Sequence, residues 1–372
     1  MEQLKPFAEA AIAYPVATGI GALAVLALLY WIFGGIIGRI FRVRNLAAHM
    51  FTFLIVLGIG AVLVARDYAL EVTEPGPLVA ETTVTVPRGA GVRETSELLA
   101  EAGVIEDAML FRLAAAYRGD ATRLKFGEYL IEPGATMDEV LAKLTEGDTI
   151  SYRVTVAEGL TSWEVVQLLN EVPELSGEIA EIPAEGTLAP DTYFVSRGDS
   201  RTDVIQRMQI AQQRILDEAW EQRQGALPLA SPEEVLILAS IVEKETGVAA
   251  ERPQVASVFV NRLNRGMPLQ SDPTVIYGIT EGKGSLGRGI RRSELNRRTP
   301  WNTYAIPALP KTAIANPGRA SIEAVVNPAE TPYIYFVADG TGGHAFSRTL
   351  QEHNRNVAVW RRIEAERRAQ EQ

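Results

Sequence analysis

Glu245 is a carboxylate on the apolar flank of a predicted helix, in the stretch SPEEVLILASIVEKET from Ser231 to Thr246. At about 100° of turn per residue, Val235, Leu236, Ile237, Leu238, Ile241 and Val242 sum to a direction near Leu238. Glu245 lies within roughly 20° of it. Glu243 points well away from that direction, and Lys244 points nearly opposite. An acid on the buried side of a helix loses hydration, which disfavours its charged form and raises its pKa. A carboxyl group so tuned can donate a proton near neutral pH. The plainer alternative is a helix-end carboxylate paired with a basic neighbour.

Three polar and aromatic clusters follow. Met267 to Gly278 places Gln270, Ser271, Asp272 and Thr274 around a predicted proline turn, with Tyr277 close by. Hydroxyls, an amide and an aromatic ring on one rigid loop suit a sugar, which offers hydroxyls at its edge and C–H groups on its face. Asn302, Thr303 and Tyr304 form the second cluster. The third is the strand-like run Tyr333 to Asp339, which leads into a glycine-rich stretch ending at His344, Ala345 and Phe346. That stretch lacks the Gly-Lys-Ser/Thr of a phosphate loop and opens no helix. Taken alone, such a cluster is more often a plain turn than a binding site.

The elements that must position these residues read as an α+β protein. Thr82 to Val86 alternates as a strand and Pro87 to Gly91 makes a turn. Predicted helices follow around Val92, Leu98 and Leu99 and around Phe111, Leu113 and Ala114. Leu124 to Ile131 reads as a strand, and Met137 to Leu144 as a helix. The strand–helix–helix–strand order over 83–150 resembles a LysM-like module, a small fold associated with N-acetylglucosamine polymers; a plain structural α+β domain is the alternative. A connecting α+β region spans 151–230, with a strand at Tyr152 to Val156 and helices around Trp163 and from Arg201 to Gln222. Ser231, Pro232 and two acids give the Glu245 helix its start. A mixed α/β catalytic region is expected over 231–356, with a second packed helix from Arg252 to Arg265, and a helical tail over 357–372.

Two long uncharged runs dominate the first 66 residues. Both the segment 16–38 and the segment 46–65 meet the length of about 20 residues needed to cross a bilayer. Arg39, Arg42 and Arg44 between them are expected to stay cytoplasmic. The rest of the chain, after a Pro/Gly linker over 67–82, is then external. Whether the anchor has one span or two is left open by the sequence. A net charge of −10 argues against general nucleic-acid binding. The absence of cysteine removes thiolate sites, and three histidines make a His-rich metal site improbable. No cofactor or metal is expected.

Taken together, LASIVEKET (238–246), ASVFVNRL (256–263), QSDPTVIYG (270–278), NTY (302–304), PYIYFVADG (332–340) and HAF (344–346) resemble the YceG-like (MltG) endolytic murein transglycosylases. The resemblance runs from about Val84 to His353. It implies a membrane-anchored enzyme, held in the bacterial inner membrane with its catalytic region in the periplasm, that cuts nascent peptidoglycan glycan strands internally and ends their elongation. Peptidoglycan synthases are the implied partners. The family's catalytic acid falls on Glu245. Two apparent spans depart from the single span usual in the family.

Such an enzyme is a lyase acting on the β-1,4 bond between N-acetylmuramic acid and N-acetylglucosamine, leaving a 1,6-anhydro end. It needs one carboxylate because the sugar's own O6 replaces water. Gln270, Ser271, Asp272, Thr274, Tyr277, Asn302, Thr303, Tyr304 and His344 are the candidate substrate-binding residues. Three alternatives stand beside this reading: a muramidase-type hydrolase using Asp272 or Glu243 to activate water, a non-catalytic peptidoglycan-binding scaffold, and a membrane-anchored structural protein.

Overall fold

The computed structural model describes residues 70–370 continuously, with scattered positions between 53 and 68. The predicted span at 16–38 lies outside the described residues, as does that at 46–65 apart from scattered helical positions. Among the described residues no helix is long and apolar enough to cross a membrane. The chain divides into two compact units, one ending at Ile150 and one beginning at Ser151.

The first unit contains β1 (Thr82–Val86), α1 (Val92–Glu101), α2 (Ala108–Arg118), β2 (Gly127–Ile131) and α3 (Met137–Glu146). β1 and β2 pair antiparallel, with Thr82 opposite Ile131 and Val86 opposite Gly127. Alternation along β1 turns Val84 and Val86 inward onto Leu99, Phe111, Tyr129, Leu141 and Leu144. Asp107 caps α2 by accepting from the amides of Met109 and Leu110, and a Thr136–Glu139 capping box starts α3. β2 begins at Gly127 rather than at the expected Leu124. The Lys125 amide is drawn to the Leu144 carbonyl, and the Tyr129 hydroxyl to the Lys125 carbonyl, so this stretch leaves the ladder.

The second unit opens with β3 (Ser151–Thr155), antiparallel to β4 (Thr192–Ser196), with α4 (Ser162–Asn170) between them in sequence. Then come α5 (Arg201–Glu221), α6 (Pro232–Glu245), α7 (Arg252–Asn264), α8 (Asp272–Thr280), the short α9 (Arg292–Leu295) and α10 (Arg319–Val326). The hairpin of β5 (Tyr335–Ala338) and β6 (His344–Ser347) precedes α11 (Leu350–Gln370).

α6 is the central element. Ser231 Oγ accepts the Glu234 amide and Pro232 occupies the first turn, where a missing N–H removes no bond. Every residue from Val235 to Val242 is buried, against α5, α7, α8 and α10. The helix is thus apolar all round rather than on one face. Glu243, expected to point away from the apolar side, is itself only 5% exposed. It accepts from Arg252 Nη2 at 3.3 Å and from the Gly318 amide at 2.9 Å.

Two local expectations are corrected. Residues from Asp272 onward form α8 rather than a loop, because Pro273 fits the first helical turn as readily as a bend. The strand expected from Tyr333 to Asp339 shortens to β5. The glycine-rich stretch after it is a hairpin turn, in which Gly340 and Gly342 take φ of 87° and 102°. Asp339 accepts the amides of Thr341 and Gly343 there. That turn sets the register that places His344 opposite Ala338.

Candidate active site

Glu245 is the last residue of α6, where the buried helix reaches the edge of the core. The residue as a whole is partly exposed, while its carboxyl group lies almost wholly within the protein. Ser271 Oγ donates to Glu245 Oε1 at 2.6 Å. Among the described residues no cation forms an ion pair with it, in contrast to Glu243 two positions earlier. Burial pushes the Glu245 carboxyl up to about 7; the Ser271 hydroxyl opposes that rise, the negative charge of Asp272 adds to it, and His344 and Arg262 oppose it. Its place at a helix C-terminus, where the helix dipole is negative, also favours the neutral form.

Ser271 is held from behind. Its amide donates to Thr303 Oγ1 at 3.0 Å, its carbonyl accepts from Thr274 Oγ1 at 2.7 Å, and the two threonine hydroxyls lie 2.9 Å apart. The preceding residue, Gln270, adopts the left-handed region at φ 53° and donates its amide to the Thr303 carbonyl at 3.1 Å. Asn302 is 1% exposed. Its Nδ2 donates to the carbonyls of Glu294, Leu295 and Arg297, and its Oδ1 accepts the Tyr304 amide. Tyr304 in turn donates its hydroxyl to Asp272 Oδ1 at 2.6 Å.

The predicted residues therefore fall into two groups. Ser271, Asp272, Tyr304 and His344 gather around Glu245, with Gln270 next to them in the chain. Thr274, Asn302 and Thr303 are fully buried and bond within the protein, so they support the site from the inside. Tyr277 is elsewhere: its hydroxyl donates to Glu185 at 3.1 Å and its ring packs on Trp301. Burial raises the pKa of both Tyr277 and Glu185.

Sequence reasoning missed Arg262 and Glu251. Arg262 is 7% exposed on α7 and has no carboxylate partner among the described residues. Its guanidinium donates to the carbonyls of Ile334, Pro268 and Leu269, so it ties the residue just before β5 to the segment leading into Ser271. A charged residue inside the apolar run of α7 is the same signal that marked Glu245, and it was there to be used. Glu251 accepts both the backbone amide of His344, at 2.9 Å, and a hydrogen bond with its ring Nδ1, at 2.8 Å. Nothing in the local pattern around Glu251 signals this role.

The arrangement is suited to proton transfer. A carboxyl that is half protonated near pH 7 has one neutral hydroxyl partner and a tyrosine–aspartate pair beside it. Among the described residues no group of three His, Cys, Asp or Glu side chains could hold a metal ion.

Comparison with known proteins gives the same family as the motifs. The model of the YceG-like family matches residues 84–359. A Bacillus subtilis protein named endolytic murein transglycosylase is 30% identical over 321 residues, which cover 77% of this chain and 88% of that protein. A Streptococcus pneumoniae protein of the same name is 28% identical over 324 residues, covering 74% of this chain and 58% of its own length. A crystal structure of a yceG-like protein from Listeria monocytogenes is 30% identical, with a TM-score of 0.44, and covers 74% of this chain and 99% of that one. The chain belongs to the YceG-like family.

Proposed function

We propose that this protein is an endolytic peptidoglycan lytic transglycosylase, a lyase that cuts the β-1,4 bond between N-acetylmuramic acid and N-acetylglucosamine. The observation that carries the reading is Glu245, a carboxyl pushed up to about 7 whose hydrogen-bond partner among the described residues is a neutral hydroxyl. Relatives at about this identity that bear the name endolytic murein transglycosylase support it.

Protonated Glu245 donates to the glycosidic oxygen as the muramoyl C1–O bond breaks, and positive charge develops at C1. The resulting carboxylate then takes the proton of the muramoyl O6 as that oxygen bonds to C1. The 1,6-anhydro ring closes, Glu245 regains its proton, and no water is consumed. Ser271 steadies the carboxylate in its ionised phase, and the buried charge of Arg262 favours that phase. Asp272, held by Tyr304, and His344, held by Glu251, are placed to orient the sugars. Glu243 is already bonded to Arg252 and the Gly318 amide, so the hydrolase alternative would have to use Asp272 to activate water.

The wider organisation in this proposal is a membrane anchor within 1–66, a LysM-like β–α–α–β subdomain over 83–150, a connecting region over 151–230, a catalytic region over 231–356 and a helical tail. The catalytic region faces the periplasm beside peptidoglycan synthases, and cleavage there ends strand elongation. Mass spectrometry of glycan strands digested by wild type and by Glu245→Gln tests the activity. Anhydromuramoyl ends from the wild type alone support the lyase. Products one water heavier would make the protein a hydrolase, and full activity of Glu245→Gln would remove Glu245 from the role.

A further inference from the structure

The segment from Lys283 to Arg298 carries six cationic side chains and one carboxylate, Glu294, within a chain of net charge −10. Arg288 takes up Glu294 in a two-pronged pair, at 2.9 and 2.6 Å. Arg292, Arg297 and Arg298 remain exposed, and none has a carboxylate partner among the described residues. Like charges crowded on one short segment repel each other and destabilise the folded state unless an anion joins them.

This segment is fixed in place. The buried Asn302 amide grips three of its carbonyls, at Glu294, Leu295 and Arg297. The two residues that follow Asn302 are those that hold Ser271 and Asp272 beside Glu245. The free arginines are therefore carried on a segment anchored, through Asn302, to the residues that hold Ser271 and Asp272. Exposed guanidinium groups on a fixed backbone match planar carboxylates, which accept two parallel N–H bonds.

We propose that Arg292, Arg297 and Arg298 form a carboxylate-reading surface that binds the peptide stems of the glycan substrate. The inference rests on the activity proposed above and narrows its substrate to stem-bearing glycan. The stem branches from the muramoyl sugar, the sugar whose bond is cut, and it carries a C-terminal carboxylate and free side-chain or α-carboxylates. One site thus reads the sugar and its adjoining surface reads the branch.

The test compares the full chain with an Arg292→Gln, Arg297→Gln, Arg298→Gln triple variant of unchanged thermal melting. The readout is the ratio of initial rates on glycan with intact stems and on glycan stripped by an amidase. Exposed Arg–carboxylate pairs are individually weak, so three acting together set the expected wild-type preference at about tenfold. The ratio should fall towards one in the triple variant and at high salt, and the equivalent triple Lys variant should recover part of it. Equal rates on both substrates for the wild type, or a preference that survives in the triple variant, would overturn the inference.

If the wild type cleaves neither glycan, the activity reading fails on its own. A titration with a free tetrapeptide stem then decides this one. Binding lost in the triple variant upholds the carboxylate surface, and absence of binding overturns it. Arginine-dependent binding to phosphatidylglycerol vesicles with no response to the peptide would also overturn it, in favour of a lipid surface.

Discussion

Replacing Glu245 by Gln should remove activity and, at alkaline pH, make the protein more stable. Burial lifts the carboxyl from its ordinary 4.5 to about 7 in the folded chain. The native state then holds this proton more tightly than the unfolded state does. Wild-type stability therefore falls as pH rises from about 4.5 to 7, and the penalty is complete above 7. At 1.36 kcal/mol per pH unit, the gap corresponds to at most about 3 kcal/mol. Glutamine matches the shape, still accepts from Ser271, and carries no such penalty. In a unit of about 200 residues, ~1–3 kcal/mol appears as an upward shift in Tm of roughly 2–12 °C. Scanning calorimetry of both proteins at pH 8 and pH 5 measures it, with the difference expected to shrink below about 1 kcal/mol at pH 5. A difference that is absent at pH 8, or equal at both pH values, would refute the claim that Glu245 is held neutral by burial.

Ser271→Ala removes the one hydroxyl that, among the described residues, donates to that carboxyl. The alkaline limb of the pH–rate profile should move to higher pH, and the rate at pH 6 should fall by about tenfold, as expected for a lost bond to a charged group. Tyr304→Phe frees Asp272 of its donor; because Asp272 is exposed, water replaces the hydroxyl, so stability should change by less than about 1 kcal/mol while kcat/KM on glycan drops about tenfold. Asn302→Ala leaves three carbonyls and the Tyr304 amide without their partner; urea unfolding should show a loss of about 2–4 kcal/mol, with activity lost alongside. Glu251→Gln keeps one acceptor for the His344 amide and should lower kcat/KM with little change in melting, as read by parallel rate and calorimetric measurements.

The helical period around Leu238 was enough to find both α6 and Glu245, because an acid that continues the apolar direction one turn beyond eight successive buried positions violates the pattern. The period could not say that α6 is surrounded, since packing on every side comes from α5, α7, α8 and α10, distant in sequence. For that reason Glu243 was misplaced: its burial depends on Arg252 and on the Gly318 amide. Asp272 and Pro273 read equally well as a bend or a helix start, and only the contact of Thr274 with Thr303 decides it. The polarity of Asn302 and Thr303 was visible, but the direction in which they point was not. Polar residues that support a site and polar residues that touch a substrate have the same composition and differ only in which side of the backbone faces water.

Gln270 holds a left-handed backbone immediately before Ser271, a conformation that disfavours a side chain with a Cβ by about 1 kcal/mol or more. A glycine would relax it. Directed selection for heat tolerance alone should therefore favour Gln270→Gly, and the same freedom would let the Ser271 hydroxyl wander from Glu245. Resistance to heat and speed of turnover are opposed at this one residue, so breeding a hardier variant here would yield a slower one.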